Sequence, residues 1–235
     1  YQATNCFDFE HPKNIGYSAG PDYNRYFKYY EHRDMLGAFE AIDRVEARFA
    51  ECFGRAYTGP IEAVSCDDAE AVLVTLGSIA GLAHESVARL RKQGKRVGLL
   101  RIRYMRPFPA KLIAEALAGA AAVGVLEKDI SFGAEGTVFT NVNSALQQAG
   151  CTTPTFNFIG GLGGDDITSA QMDAMFDALL DSAGERGRDD AVAGRSCDDA
   201  STGQGAGLAR VSFLGIDFPV ASQPACGDDC EEGAR

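Results

Sequence analysis

Arg96-Val-Gly-Leu-Leu-Arg-Ile-Arg-Tyr-Met-Arg-Pro-Phe-Pro109 opens a region that runs through Ser131-Phe-Gly-Ala-Glu-Gly136 to Gly160-Gly-Leu-Gly-Gly-Asp-Asp-Ile-Thr168. Each of the three blocks follows a short apolar run and precedes a stretch with helical spacing. Repetition of that unit places all three on one edge of a parallel sheet, where α/β proteins keep ligand and interface loops.

Working outward, Ile61 to Cys66 reads as a short extended run and Ala71 to Leu76 as a continuous apolar strand. Gly77-Ser78 then turns the chain into a helix with Ile79, Leu82, Val87 and Leu90 inward, closed by Gly94. Val97 to Ile102 is the next buried strand; Pro107 and Pro109 set the following loop, and Pro109 suits a first helical turn. The helix to Leu117 is expected to turn Leu112, Ile113, Ala116 and Leu117 inward. Ala121 to Leu126 reads as a strand, and Gly133 to Gln148 as a helix with Val138, Val142, Ala145 and Leu146 on one face. Thr155 to Ile159 is a last strand, and Thr168-Ser-Ala-Gln171 fits a capping box. Met172, Met175, Phe176, Leu179 and Leu180 make the final helix amphipathic. Strands alternating with helices predict crossover units, a mostly parallel sheet and a three-layer α/β domain over residues 58–183. Nearly continuous apolar strands predict burial on both faces.

The flanks differ. Residues 1–33 are crowded with aromatics, among them Tyr1, Phe7, Phe9, Tyr17, Tyr23, Tyr26, Phe27, Tyr29 and Tyr30, interleaved with Pro12, Gly16, Gly20 and Pro21. Those breakers predict an arm without regular elements that lies across another surface. Met35, Leu36, Phe39, Ile42, Val45, Phe49 and Phe53 then mark a helix over 35–53, capped by Asp34 and ended by Gly54. From Gly184 onward glycine, serine, alanine and aspartate dominate, which predicts a mostly disordered tail. Its one apolar island, Val211-Ser-Phe-Leu-Gly-Ile-Asp-Phe-Pro-Val220, is expected to dock on the domain or on a partner.

The 235 residues carry a formal net charge of −11, with no long basic run, which argues against nucleic acid as a partner. No run of eighteen apolar residues is present, so no membrane span is expected. The first residue is Tyr1 with no signal-peptide pattern, and the chain is expected to continue upstream. Seven irregularly spaced cysteines, Cys6, Cys52, Cys66, Cys151, Cys197, Cys226 and Cys230, suit reduced thiols in a cytoplasm rather than a disulfide framework. Cys226 and Cys230 form the one close pair, too few for zinc or an iron–sulfur cluster, so no metal is assigned to this chain.

Candidate chemistry is sparse. His11, His32 and His84 share no local motif with a nucleophile, and no G-x-S-x-G elbow occurs. Gly160 to Gly164 invites a phosphate reading, since glycine loops before helices present N–H groups to anions. Asp165 and Asp166 follow at once and favour a turn needing positive φ instead. Ser131 to Gly136 is balanced in the same way, between close packing at a helix start and a phosphate cradle. Arg101, Arg103 and Arg106 leave a strand end together, suited to ion pairs with a neighbouring chain or to a cofactor phosphate such as that of coenzyme A.

Taken in order, Gly54-Arg-Ala-Tyr57, Asp68-Ala-Glu70, Leu76-Gly-Ser78, Gly94-Lys-Arg-Val-Gly98, Arg106-Pro-Phe-Pro109, Ser131-x-Gly-x-x-Gly136 and Gly160-Gly-Leu-Gly-Gly164 with Asp166-Ile-Thr168 resemble the alpha subunit of 2-oxoacid:ferredoxin oxidoreductases, the pyruvate synthase type in particular. The likeness covers roughly residues 30–180. It implies that subunit's second domain, similar to the transketolase C-terminal domain: a five-stranded, mostly parallel sheet whose first strand runs antiparallel. Residues 1–57 would then be the end of a preceding pyrimidine-binding domain, a linker arm and a helix.

By the same resemblance, the whole enzyme converts a 2-oxoacid and coenzyme A to an acyl-CoA and carbon dioxide. Thiamine diphosphate and Mg2+ would sit between the upstream domain and a beta subunit. Electrons would leave through iron–sulfur clusters to ferredoxin or flavodoxin, with gamma and delta subunits as further partners. This region would organise the complex, with no catalytic residue of its own. Ala63-Val-Ser65 departs from the tyrosine-bearing segment expected after the first strand. Other readings are the C-terminal domain of a transketolase-like enzyme or 2-oxoacid dehydrogenase component, and a stand-alone α/β ligand-binding module.

Overall fold

The computed structural model describes residues 6, 8–12, 18–57, 59–189 and 211–215, with side chains in 185–189 set aside. Tyr1, Phe7, Tyr17, Cys197, Cys226, Cys230 and most of the expected tail lie outside the described residues. The chain divides into two compact units, residues 1–57 and 58–235.

The first unit holds two helices, α1 (Pro21–Leu36) and α2 (Ala38–Phe53). The expectation of an arm without regular elements is corrected by α1. Gly20 and Pro21 sit at the N-cap and first helical position, where the missing proline N–H costs nothing, so the supposed breakers start a helix. Asp34 is not a cap: Met35 and Leu36 finish α1, Gly37 joins the two helices, and α2 begins at Ala38. Gly54 ends α2 as expected, in the left-handed conformation at φ +66°, with its N–H on the Ala50 carbonyl. Tyr23, Tyr26, Phe27, Tyr29 and Tyr30 are all exposed on α1.

The second unit is a six-stranded sheet in the order β1-β3-β2-β4-β5-β6. Its strands are β1 (Ile61–Val64), β2 (Ala71–Leu76), β3 (Val97–Ile102), β4 (Ala122–Glu127), β5 (Thr155–Ile159) and β6 (Val211–Phe213). β1 runs antiparallel to β3, with Ile61 opposite Ile102 and Val64 opposite Leu99, and every other pairing is parallel. Four helices cover the sheet: α3 (Ala80–Lys92), α4 (Ala110–Leu117), α5 (Thr137–Gln148) and α6 (Ser169–Asp189).

Successive strand residues point to opposite faces, so each apolar run feeds two cores. Val72, Val74, Val123 and Val125 meet Ile113, Leu117, Phe139 and Val142 on the α4/α5 face. Leu73, Leu99 and Leu126 meet Val87, Leu90, Met172, Phe176 and Leu179 on the α3/α6 face. The α/β class, three layers and antiparallel first strand are as expected; the strand count is six rather than five. The sixth strand is the start of the apolar island, docked on β5.

Other boundaries shift for local reasons. Ser65, at φ +54°, turns the chain out of β1 before Cys66. Leu112 is 41% exposed rather than inward, because Ile113 and Leu117, one turn apart, face the sheet and Leu112 lies well around the helix from them. α5 begins at Thr137 rather than Gly133, since residues 131–134 form a turn closed by the Ala134 N–H on the Ser131 carbonyl at 2.8 Å. α6 continues past Ala183 to Asp189, six residues into the expected tail. Among the described residues no helix is long and apolar enough to cross a membrane.

Candidate functional site

β4 hands the chain to α5 on one face of the sheet, and β5 hands it to α6 on the other. The loops 128–136 and 160–168 therefore part across the carboxyl ends of neighbouring strands, the place where open α/β sheets hold ligands. Two buried polar residues stand there, Glu127 closing β4 and Asn157 inside β5.

Their side chains serve the start of α5. Glu127 Oε2 accepts the Val138 N–H at 2.7 Å, and Oε1 accepts the Phe139 N–H at 3.2 Å and Asn157 Nδ2 at 2.8 Å. Asn157 Oδ1 accepts the Gly136 N–H at 2.8 Å, and Nδ2 also donates to the Val125 carbonyl at 3.2 Å. Asp129 Oδ2 accepts the Thr137 N–H at 3.3 Å. A helix start leaves four N–H groups without helical partners, and side chains take those of residues 136–139.

Glu127 is only 5% exposed. Burial pushes its carboxyl above the usual range, the Val138 and Phe139 N–H groups and Asn157 pull the other way, and the nearby Asp129 charge raises it further. Asp129, at the surface, is held below its ordinary value by its bonds to Thr137. Gly136 is required for this packing, because a Cβ there would sit 2.1 Å from the Glu127 carboxylate.

The geometry decides between the two readings of each glycine block. Ser131 to Gly136 is close packing at a helix start: an internal carboxylate and a carboxamide already fill the place a phosphate would take. At the second block, Gly161, Gly163 and Gly164 adopt φ of +71°, +65° and +90°, which makes it a turn. The expected capping box follows. Thr168 N–H donates to Gln171 Oε1 at 2.8 Å, and Gln171 N–H donates to Thr168 Oγ1 at 3.2 Å. At the start of α5 the N–H groups of residues 136–139 are all engaged by these side chains, which leaves no donor there for a phosphate.

The three arginines have separate partners. Arg101 reaches Glu62 across the β1–β3 pair at 3.3 Å, and Arg103 Nη1 donates to the Gly59 carbonyl at 2.8 Å. Arg106 is exposed, with Nη1 on the Met105 carbonyl at 2.7 Å and its guanidinium 6.0 Å from the Phe108 ring centre. His11, His32 and His84 are exposed. Among the described residues no group of three or more His, Cys, Asp and Glu side chains is placed to hold a metal ion. Sequence reasoning missed Glu127 and Asn157. Their signal was present in the alternation Val123, Val125, Glu127, which aims the carboxylate at the α5 face.

The same region agrees with known proteins. Residues 69–172 match the family model described as pyruvate:ferredoxin oxidoreductase core domain II. Pyruvate synthase subunit PorA of Methanothermobacter thermautotrophicus is 37% identical over 175 residues, covering 74% of this chain and 44% of that protein. Ketoisovalerate oxidoreductase subunit VorA of Pyrococcus abyssi is 38% identical over 168 residues, covering 72% and 42%. The alpha subunit of the NADH-dependent phenylglyoxylate dehydrogenase of Aromatoleum evansii is 34% identical over 155 residues, covering 64% and 37%. The chain thus spans less than half the length of these curated relatives. Residues 69–172, on a sheet with the expected antiparallel first strand, thus match pyruvate:ferredoxin oxidoreductase core domain II, in a chain similar to the PorA and VorA subunits.

Proposed function

We propose that this chain is the subunit-organising part of the alpha subunit of a thiamine-diphosphate-dependent 2-oxoacid:ferredoxin oxidoreductase. The assembled enzyme would decarboxylate a 2-oxoacid oxidatively, joining the acyl group to coenzyme A and releasing carbon dioxide. Iron–sulfur clusters of other subunits would pass the electrons to ferredoxin or flavodoxin. Residues 1–57 would finish the preceding pyrimidine-binding domain, which together with the beta subunit would hold thiamine diphosphate and Mg2+. Gamma and delta chains complete the assembly.

The observation that carries this reading is the internal satisfaction of the sheet's carboxyl edge. Glu127, Asn157 and Asp129 use the α5 donors, and Thr168 and Gln171 cap each other at α6. Such an edge is suited to a supporting, architectural role. The names of the relatives point the same way. A pyruvate, a ketoisovalerate and a phenylglyoxylate enzyme match this chain at 37%, 38% and 34% identity, so choice of 2-oxoacid belongs to another domain. Arg106, exposed beside Phe108, is the residue assigned to contact an acidic group on a neighbouring chain. The free thiols of Cys52, Cys66 and Cys151 support a cytoplasmic setting.

Affinity capture of the full-length subunit from its own cells tests the reading. The expected product is a complex that contains thiamine and iron and reduces viologen when given pyruvate or another 2-oxoacid with coenzyme A. A stable complex without thiamine and iron, inert toward every 2-oxoacid, refutes it.

A further inference from the structure

β6 closes one edge of the sheet. It pairs with β5 through Asn157–Val211, Phe158–Ser212 and Ile159–Phe213, yet lies well beyond the matched residues 69–172. The ladder continues one step further, where the Leu214 N–H donates to the Ile159 carbonyl at 2.9 Å. Leu214 then drops its side chain onto Gly160, where a Cβ would stand 2.5 Å from Leu214 Cδ1 and 3.2 Å from Ile167 Cδ1. Leu214 and Ile167 both pack on the α3/α6 core. Gly215, at φ +77°, turns the chain away.

The outer side of β5 thus offers two things in a fixed spacing, a row of backbone partners and a notch one leucine wide. An exposed strand edge with such a notch is a receptor for an extended peptide: main-chain bonds give affinity and the pocket gives selectivity. We propose that the β5 edge and the Gly160 notch form a strand-binding site for an extended apolar peptide with a leucine after its paired residues, and that Val211–Gly215 of the same chain is its resident occupant, a detachable strap.

The strap belongs to the same chain as the β5 edge, so its effective concentration at the site is on the order of millimolar. A strap docked most of the time must then bind in trans with Kd below ~1 mM. The full chain carrying Leu214→Asp empties the notch by aiming a charge at the apolar core. Its 211–215 and 155–160 segments should lose hydrogen-exchange protection, and an added peptide copying residues 209–218 should restore it saturably at submillimolar concentration. In the full chain carrying Gly160→Ala, the new methyl displaces the leucine, so the strap should come loose and the same peptide should fail to bind. Unchanged protection over 211–215 in both variants overturns the proposal, as does a folded Leu214→Asp chain that ignores the peptide up to several times that bound. Protection of 211–215 in the wild type that rises with protein concentration would place the strap on a second copy and overturn its assignment to its own chain.

Discussion

Removal of the Glu127 carboxylate should be among the most costly single changes in the α/β unit. The side chain accepts three hydrogen bonds inside the fold, from Val138, Phe139 and Asn157. Bonds to a charged acceptor are worth about 1.5–3 kcal/mol each, and buried donors left without partners cost about 1–3 kcal/mol each. These figures overlap and are not additive, so Glu127→Ala is expected to cost about 3–4 kcal/mol, in the range of other broken buried charge contacts. Glu127→Gln keeps the shape but offers one oxygen, so its amide nitrogen faces either the Val138 N–H or the Phe139 N–H with Asn157 Nδ2. A cost of about 1–2 kcal/mol follows, softened because no charge is buried.

The pH dependence has a definite sign. Burial raises the Glu127 carboxyl above its ordinary value of 4.5, so in that window the native state binds more protons than the unfolded chain. The contribution is therefore fully present below 4.5 and lost as pH rises through the folded value. The stability of wild type relative to Glu127→Gln should shrink over that interval. Urea unfolding followed by far-UV circular dichroism measures both effects, since the chain has no tryptophan to report by fluorescence. A Glu127→Ala cost below about 1 kcal/mol would refute the reasoning, because so small a loss means the α5 donors find other partners.

Thr75 Oγ1 is a buried hydroxyl without a hydrogen-bond partner, so Thr75→Val should raise stability by up to about 1 kcal/mol in the same unfolding assay. Thr168→Ala removes half of the α6 capping box and should cost about 1 kcal/mol, seen as a fall in Tm of about 2–4 °C. Burial pushes the Cys66 thiol up to about 11, and its Sγ sits 3.3 Å from the Leu99 carbonyl. At neutral pH mass spectrometry should find the exposed Cys52 alkylated well before Cys66, which labels only on unfolding.

The sheet was legible because two independent patterns coincide over 71–159, continuous apolar strands and helices with one apolar face. Antiparallel β1 came from the family resemblance, since four residues, three half-buried and one exposed, carry no directional signal. The strand at the opposite edge, β6, escaped for a related reason: three residues in a glycine- and serine-rich context bury too little to stand out, and their strand forms on the edge that β5 offers. α1 is hidden in the sequence because Gly20 and Pro21 read as breaks, although the same pair starts a helix when it stands at the first position. The polar network was legible only in hindsight. Glu127 looked like an ordinary end of strand, and what gives it meaning is Gly136, nine residues on, which leaves room for the carboxylate against the helix start.

Five exposed rings on α1, at Tyr23, Tyr26, Phe27, Tyr29 and Tyr30, give this chain a liability wherever nothing shields them. Chaperones and proteases recognise exposed aromatic surface, so an unshielded copy carries its own signal for removal. Cellular abundance of the chain would then follow the supply of whatever shields those rings, a form of stoichiometric control that needs no transcriptional regulator.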